Sequence, residues 1–124
     1  AVLTGTNGVE VLSAARLSKE QTRARNKETL LEIINSTELS DAQKQEAVDS
    51  MVRMTDIAEK EAAAEVLLQA KGFQEAVVSI NGDAVDVVVN AAELTDVQRA
   101  QIEDIVKRKT DIAAENIVIS TIAQ

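Results

Sequence analysis

Glu103 and Asp104 are adjacent acids of the kind that serve as general acid and base. Neighbours along a helix point in different directions, so this pair reads as part of a solvated face. The 124 residues contain no cysteine and no histidine, which excludes thiol nucleophiles, thiolate or imidazole metal sites and every His-based triad. There is no Gly-rich phosphate loop, no serine in a Gly-x-Ser-x-Gly elbow and no calcium-loop spacing of acids. The chain therefore reads as a non-enzyme, with no catalytic residue, no metal ligands and no cofactor site. Asn35-Ser36-Thr37 matches a glycosylation acceptor, yet it falls at a helix end where such side chains satisfy free backbone groups, and capping is the reading taken.

What the sequence offers instead is surfaces. Its 13 basic residues stand against 21 acidic ones, a net charge of −8 that repels phosphate backbones. A single Phe is the only aromatic residue, so no base-stacking platform can be built, and nucleic acid is not an expected partner. One helical stretch is anomalous: from Ser18 to Thr29 its only apolar residue is Ala24. Arg16, Lys19, Arg23 and Lys27 lie near one line along it, and the like-charge i,i+4 pairs oppose helix formation unless acid lies beside them. Two readings follow. Counting outward from a turn near Glu38 places Arg16 across from about Lys60, flanked by Glu59, Glu61 and Glu65, which gives an internal ion-pair ladder. Alternatively, the four cations dock an acidic partner on an underpacked helix. A second candidate surface is the segment Ile117 to Ile122, which has no charge. As a sheet edge it would accept a neighbouring strand through Ile117, Ile119 and Thr121, whereas Glu75, Asp83 and Asp86 would protect other edges.

The elements that must position these surfaces are legible from pattern. With 45% hydrophobic and 27% charged residues, one domain with one aliphatic core is expected. Apolar runs such as Ala62–Ala64 and Val87–Val89 fall far short of the ~20 residues that span a bilayer. Ser13 to Lys71 contains no Gly and no Pro and favours helix, whereas β-branched runs dominate beyond Gly72. Ser40 with Gln43 makes a capping box that opens a second helix running from about Asp41 to Lys71. Gly72 suits its left-handed stop, with Phe73 folding back on Leu68. Leu30, Leu31 and Ile34 are expected to pack on Ala47, Val48, Met51 and Met54 in an antiparallel helical hairpin.

Asn81-Gly82 reads as a two-residue turn that sets Val78 opposite Val85 and Ala76 opposite Val87. One apolar face then holds Ala76, Val78, Ile80, Val85, Val87 and Val89. Thr95 with Gln98 caps a third helix bearing Ile102, Ile105 and Val106 and ending in Lys107-Arg108-Lys109. A last strand spans Asn116 to Ile122. The predicted class is α/β in the α+β sense, with two helices, then strand, strand, helix, strand, and a three-stranded sheet with helices on one face. Residues 1–8, with Thr4-Gly5-Thr6-Asn7-Gly8, read as a linker; 9–124 form the domain, as an N-terminal helix over 9–36 and a core over 40–124.

The second helix ending in Lys71-Gly72-Phe73, the strands Glu75 to Ile80 and Ala84 to Val89, the helix from Thr95, and Glu115-Asn116-Ile117-Val118-Ile119 together resemble a ring-building domain. That unit is shared by inner-ring lipoproteins of type III secretion systems and the flagellar basal-body ring protein. The run from Leu12-Ser13-Ala14-Ala15-Arg16 through Ala42-Gln43-Lys44 narrows the resemblance, over about Val9 to Gln124, to the stage III sporulation protein AH family of spore-forming Bacillus. The resemblance implies a structural interaction domain, without catalysis, of a channel complex between mother cell and forespore. It implies an extracytoplasmic place between the two membranes around the engulfed forespore, with the whole protein anchored in the mother-cell membrane by an N-terminal spanning helix that this chain lacks. The implied partners are stage II sporulation protein Q, whose domain is LytM-like, other stage III sporulation channel proteins, and further copies in a ring or other homo-oligomer. The competing reading is a KH-like nucleic-acid-binding module, which needs a Gly-x-x-Gly loop between helices and a basic surface, and the sequence has neither.

Overall fold

Both capping boxes form, and they fix where two of the three helices begin. The computed structural model describes residues 5–122, with side chains from residue 8 onward. Helix α1 is Gly5–Asn35, α2 is Asp41–Ala70 and α3 is Asp96–Thr110. The Ser40 hydroxyl accepts from the Gln43 backbone N–H while the Gln43 side chain accepts from the Ser40 N–H, and Thr95 and Gln98 repeat the arrangement at α3. Helix α2 stops as its sequence directs: Gly72 takes φ 98°, its N–H donates to the Gln69 carbonyl, and the Phe73 N–H reaches back to Leu68 at 2.9 Å. Phe73 packs against the core that holds Leu68.

The N-terminal boundary differs from expectation. Gly5 to Gly8, read as linker from its glycines, lies within α1; residues 1–4 of that linker are outside the described residues. Helix propensity costs of about 1 kcal/mol per glycine yield here to packing. Gly8 is buried, and one turn on Leu12 is only 1% exposed, so this end of the helix is held against the body of the domain.

Strands β1 (Val77–Asn81), β2 (Ala84–Val89) and β3 (Ile117–Thr121) form one sheet in the order β1-β2-β3. β1 and β2 are an antiparallel hairpin, and β3 returns parallel to β2 after the α3 crossover. The hairpin turn is Gly82-Asp83, not Asn81-Gly82, because Asn81 pairs with Ala84 and Ile80 with Val85. Gly82 has φ 64° at the first loop position, as a type II′ turn requires, and Asn81 remains in the strand. Every cross-strand pair is thereby displaced by two residues from the predicted register. An even displacement leaves the faces unchanged, and Ala76, Val78, Val85, Val87 and Val89 all lie in the core with Ile80 packed at its margin.

Helices α2 and α3 cover that face through Ala64, Leu68, Ile102, Ile105 and Val106. The α+β architecture is the predicted one. Asp86 lies on the central strand, so it protects no edge, in contrast to its expected role. At the helical hairpin Ala47 is buried, but Leu31 and Val48 remain exposed rather than packed between the helices.

Gly82 is the position where turn geometry rather than space is limiting, since an added Cβ would meet nothing within 4 Å. Gly82→Ala is expected to cost about 1–2 kcal/mol of stability from left-handed strain alone, measured as a lowered denaturant midpoint with an unchanged slope.

Candidate functional site

Strand β1 is an edge strand whose outward backbone groups would be open to any passing strand. Four charged side chains occupy them instead. The Val78 N–H donates to Glu65 Oε2 at 2.8 Å and the Ile80 N–H to Glu61 Oε2 at 2.7 Å. Arg16 Nη2 donates to the Ala76 carbonyl at 3.0 Å and Lys19 Nζ to the Val78 carbonyl at 2.9 Å. The match has a geometric cause. Residues three or four apart on a helix advance about 4.5–6 Å, near the roughly 6.6 Å between alternate residues of a strand. Arg16, Lys19 and Arg23 therefore climb α1 in step with the outward-pointing groups of β1, and Glu65 and Glu61 descend α2 in the same step.

Glu61 is the centre of this arrangement. It is 3% exposed, and both its oxygens are hydrogen-bonded to the Arg23 guanidinium, Nη1 to Oε1 and Nη2 to Oε2 at 2.8 Å. Lys19 Nζ adds a third donor at 3.3 Å and the Ile80 N–H a fourth, which fills the carboxylate's roughly four lone-pair positions. Burial pushes the Glu61 pKa upward more than any other single influence does. The Arg23 hydrogen bonds, the Ile80 N–H and the charges of Lys19 and Arg23 together outweigh it, and the net displacement is below 4.5. Arg23 is raised correspondingly, first through its hydrogen bond to Glu61. Lys19 also lies 3.9 Å from Glu65, and Arg16 lies 3.9 Å from Glu75, which takes a left-handed φ of 58° just before β1.

Of the two readings of the basic stripe, the structure contains the internal ladder. Arg16, Lys19 and Arg23 are taken up by β1, Glu61, Glu65 and Glu75, while Lys27 is exposed with no ion pair among the described residues. The ladder's register differs from the count made from the turn: Arg23, not Arg16, reaches the acid beside Lys60. Side chains lean toward the N-terminus of their own helix. In α1 that is away from the turn and in α2 toward it, so partners meet several residues off a straight count.

The opposite edge is bare. β3 has β2 as its single sheet neighbour, and among the described residues no side chain bonds to its outer backbone. The Ile122 N–H points to Val89 of β2, so by alternation the N–H and C=O of Ile117, Ile119 and Thr121 point outward. Their side chains share the core-side face with Val85, Val87 and Val89, and Ile117 and Ile119 pack against the core. What these three residues offer a partner is backbone, with Val118, 52% exposed, on the sheet's other face. Among the described residues no cluster of acids could hold a metal ion, and no helix is long and apolar enough to cross a membrane.

Comparison with known proteins places this architecture. A family model described as SpoIIIAH-like protein matches residues 3–119. The chain belongs to the SpoIIIAH-like family. Stage III sporulation protein AH of Bacillus subtilis (strain 168) is 26% identical over 108 residues, which are 87% of this chain and 50% of that protein. The chain thus spans about half the length of this curated relative. A solved structure described as that of the SpoIIQ-SpoIIIAH pore forming complex contains a chain that matches with a TM-score of 0.82 at 23% identity, covering 92% of this chain and 98% of that one. At that identity the match establishes the shared fold. Membership of the SpoIIIAH-like family gives the KH-like alternative no support, and the turn between α1 and α2, Ser36 to Ser40, has no glycine with which to clamp a nucleic-acid backbone.

A carboxylate with a depressed folded-state pKa contributes stability above its unfolded pKa, and that contribution is lost as pH falls through the folded value. Thermal stability is therefore expected to drop as pH is lowered below about 4.5. Glu61→Gln should lower the melting temperature at pH 7 by several degrees and flatten this acid limb; an unchanged melting temperature at neutral pH would show that the ladder contributes nothing.

Proposed function

We propose that this chain is a non-catalytic docking domain of a sporulation channel complex, and that it engages stage II sporulation protein Q by strand addition at β3. The observation that carries this reading is the asymmetry of the sheet. One edge is closed by four charged side chains, and the other presents five uncharged residues, Ile117–Thr121, with free outward backbone groups. A protein under no demand to pair at β3 would carry a charge, a bulge or a covering element there.

The absence of catalysis is supported by the chemistry of the best-placed acid. A general acid working near neutrality needs a raised pKa and an open coordination position, whereas Glu61 is depressed and fully hydrogen-bonded. Family membership and the printed description of the solved complex, which names SpoIIQ alongside SpoIIIAH, support the choice of partner. In this reading the domain lies between the mother-cell and forespore membranes, tethered to the mother-cell membrane through a segment N-terminal to the domain. Other stage III sporulation channel proteins and further copies of the chain complete the assembly. Arg16, Lys19 and Arg23 serve docking indirectly, by fixing the sheet that presents β3, and Lys27, on the helix beside the opposite edge, takes no part in that contact.

Thr121→Pro removes an outward N–H that β2 does not use. Titration calorimetry with the extracytoplasmic domain of stage II sporulation protein Q should show at least a tenfold loss of affinity, with the melting temperature lowered by only a few degrees. Unchanged affinity in this variant would refute strand addition, and no binding by the unaltered chain would refute the choice of partner.

A further inference from the structure

Helix α2 carries two parallel seams. Ala47, Met51, Met54, Ala58, Glu61 and Glu65 recur at alternating intervals of four and three residues and form the first, buried or half-buried at every position but Ala58. Displaced by a single residue, Val48, Val52, Thr55, Glu59, Ala62 and Val66 repeat the same intervals. This is the spacing of a helix packed against other helices, yet all six are exposed, Val52 to 62% and Val66 to 66%.

All of the second seam but Val66 lines one wall of a groove, together with residues of the first seam, and the other wall is α1. A cleft of about 580 Å³ runs between Ala24 and Lys27 on one side and Ala58, Glu59 and Ala62 on the other. Through Met51, Thr55 and Glu59 it continues into a second cleft of about 520 Å³ bounded by Ile34, Val48 and Val52.

Its walls have opposite charge. The α1 wall contributes Arg16, Lys19, Arg23 and Lys27 against the single acid Glu20, while the α2 wall contributes Glu59, Glu61 and Glu65 and no base. Lys27 and Glu59 stand within about a turn of each other along the hairpin, on opposite walls, and neither has an ion pair among the described residues. Arg16, Lys19, Arg23, Glu61 and Glu65 are engaged in the ladder within each chain, so the charge complementarity left between two copies is that of Lys27 and Glu59, which a two-fold rotation brings over one another.

We infer that the groove is the contact surface for a second copy of this chain, the two helical hairpins closing into an antiparallel-paired four-helix bundle in which Lys27 of each copy meets Glu59 of the other. This contact is independent of the β3 edge and leaves that edge free on both copies. It is also closed: an isologous pair of grooves makes a dimer and does not propagate, so any larger ring needs a different surface.

Sedimentation equilibrium tests it, with the chain of 13.3 kDa run from about 10 µM to about 1 mM, the range suited to an interface at the small end of the specific class. The mass should rise toward twice the monomer value. Lys27→Glu and Glu59→Lys should each weaken self-association about tenfold, since symmetry places two repelling contacts in each dimer. The double exchange Lys27→Glu with Glu59→Lys should restore it, with helicity by circular dichroism equal in all four proteins. A monomer at every concentration overturns the inference, including the case in which the groove takes a helix of another protein. A dimer indifferent to the charge changes, unrestored by the double exchange, or abolished by Thr121→Pro overturns it too, and the last result would move self-association to the sheet edge.

Discussion

The fold turns on one requirement, that the outward backbone groups of β1 be hydrogen-bonded without a further strand. Charged side chains from two helices meet it at the Val78 N–H and C=O and at the Ile80 N–H. The solution is unusual in cost, because it takes a carboxylate to 3% exposure, and a buried charge is tolerated only with close pairing and filled lone pairs. Glu61 has both. Once it is held by Arg23, Lys19 and Ile80, the positions of α1, α2 and β1 are set relative to one another by directional bonds. Apolar burial could not have done this for α1, whose stretch from Ser18 to Thr29 has nothing apolar to bury beyond Ala24.

The two edges of the sheet are therefore in different states for reasons that lie in the sequence of α1. A helix with an ordinary apolar stripe would have packed on a sheet face and left β1 as open as β3. The basic stripe brings the helix to the edge instead. A further strand cannot be added beside β1 without first displacing Arg16 and Lys19.

Much of this was legible without coordinates, and the parts that were not have identifiable causes. Capping boxes, the Gly72 stop and the face assignment of the hairpin depend on short-range chemistry and alternation, so Ser40, Thr95, Val78 and Val87 stand where pattern puts them. Asn81-Gly82 and Gly82-Asp83 satisfy the same composition rule for a two-residue turn, and only strand pairing decides for the second. The demand of Arg16, Lys19 and Arg23 for acid was readable from their spacing. Their use on β1 carbonyls was not, since main-chain acceptors leave no trace in side-chain identity. In the sequence Glu61 is one acid among Glu59, Glu61 and Glu65, and nothing in its neighbours distinguishes the buried one from exposed Glu59. The signal that could have found it is its place on the four-three repeat that begins at buried Ala47 and includes half-buried Met51, Met54 and Glu65.

Helix α1 runs beside β1 in the same direction, with Arg16 level with Ala76 and Lys19 level with Val78. Tension applied along the axis of α1 would thus slide helix past strand and stretch the Arg16, Lys19 and Arg23 contacts simultaneously. Loading in shear shares force among all rungs, whereas peeling breaks them one after another. The joint is built to withstand a lengthwise pull far better than a sideways one.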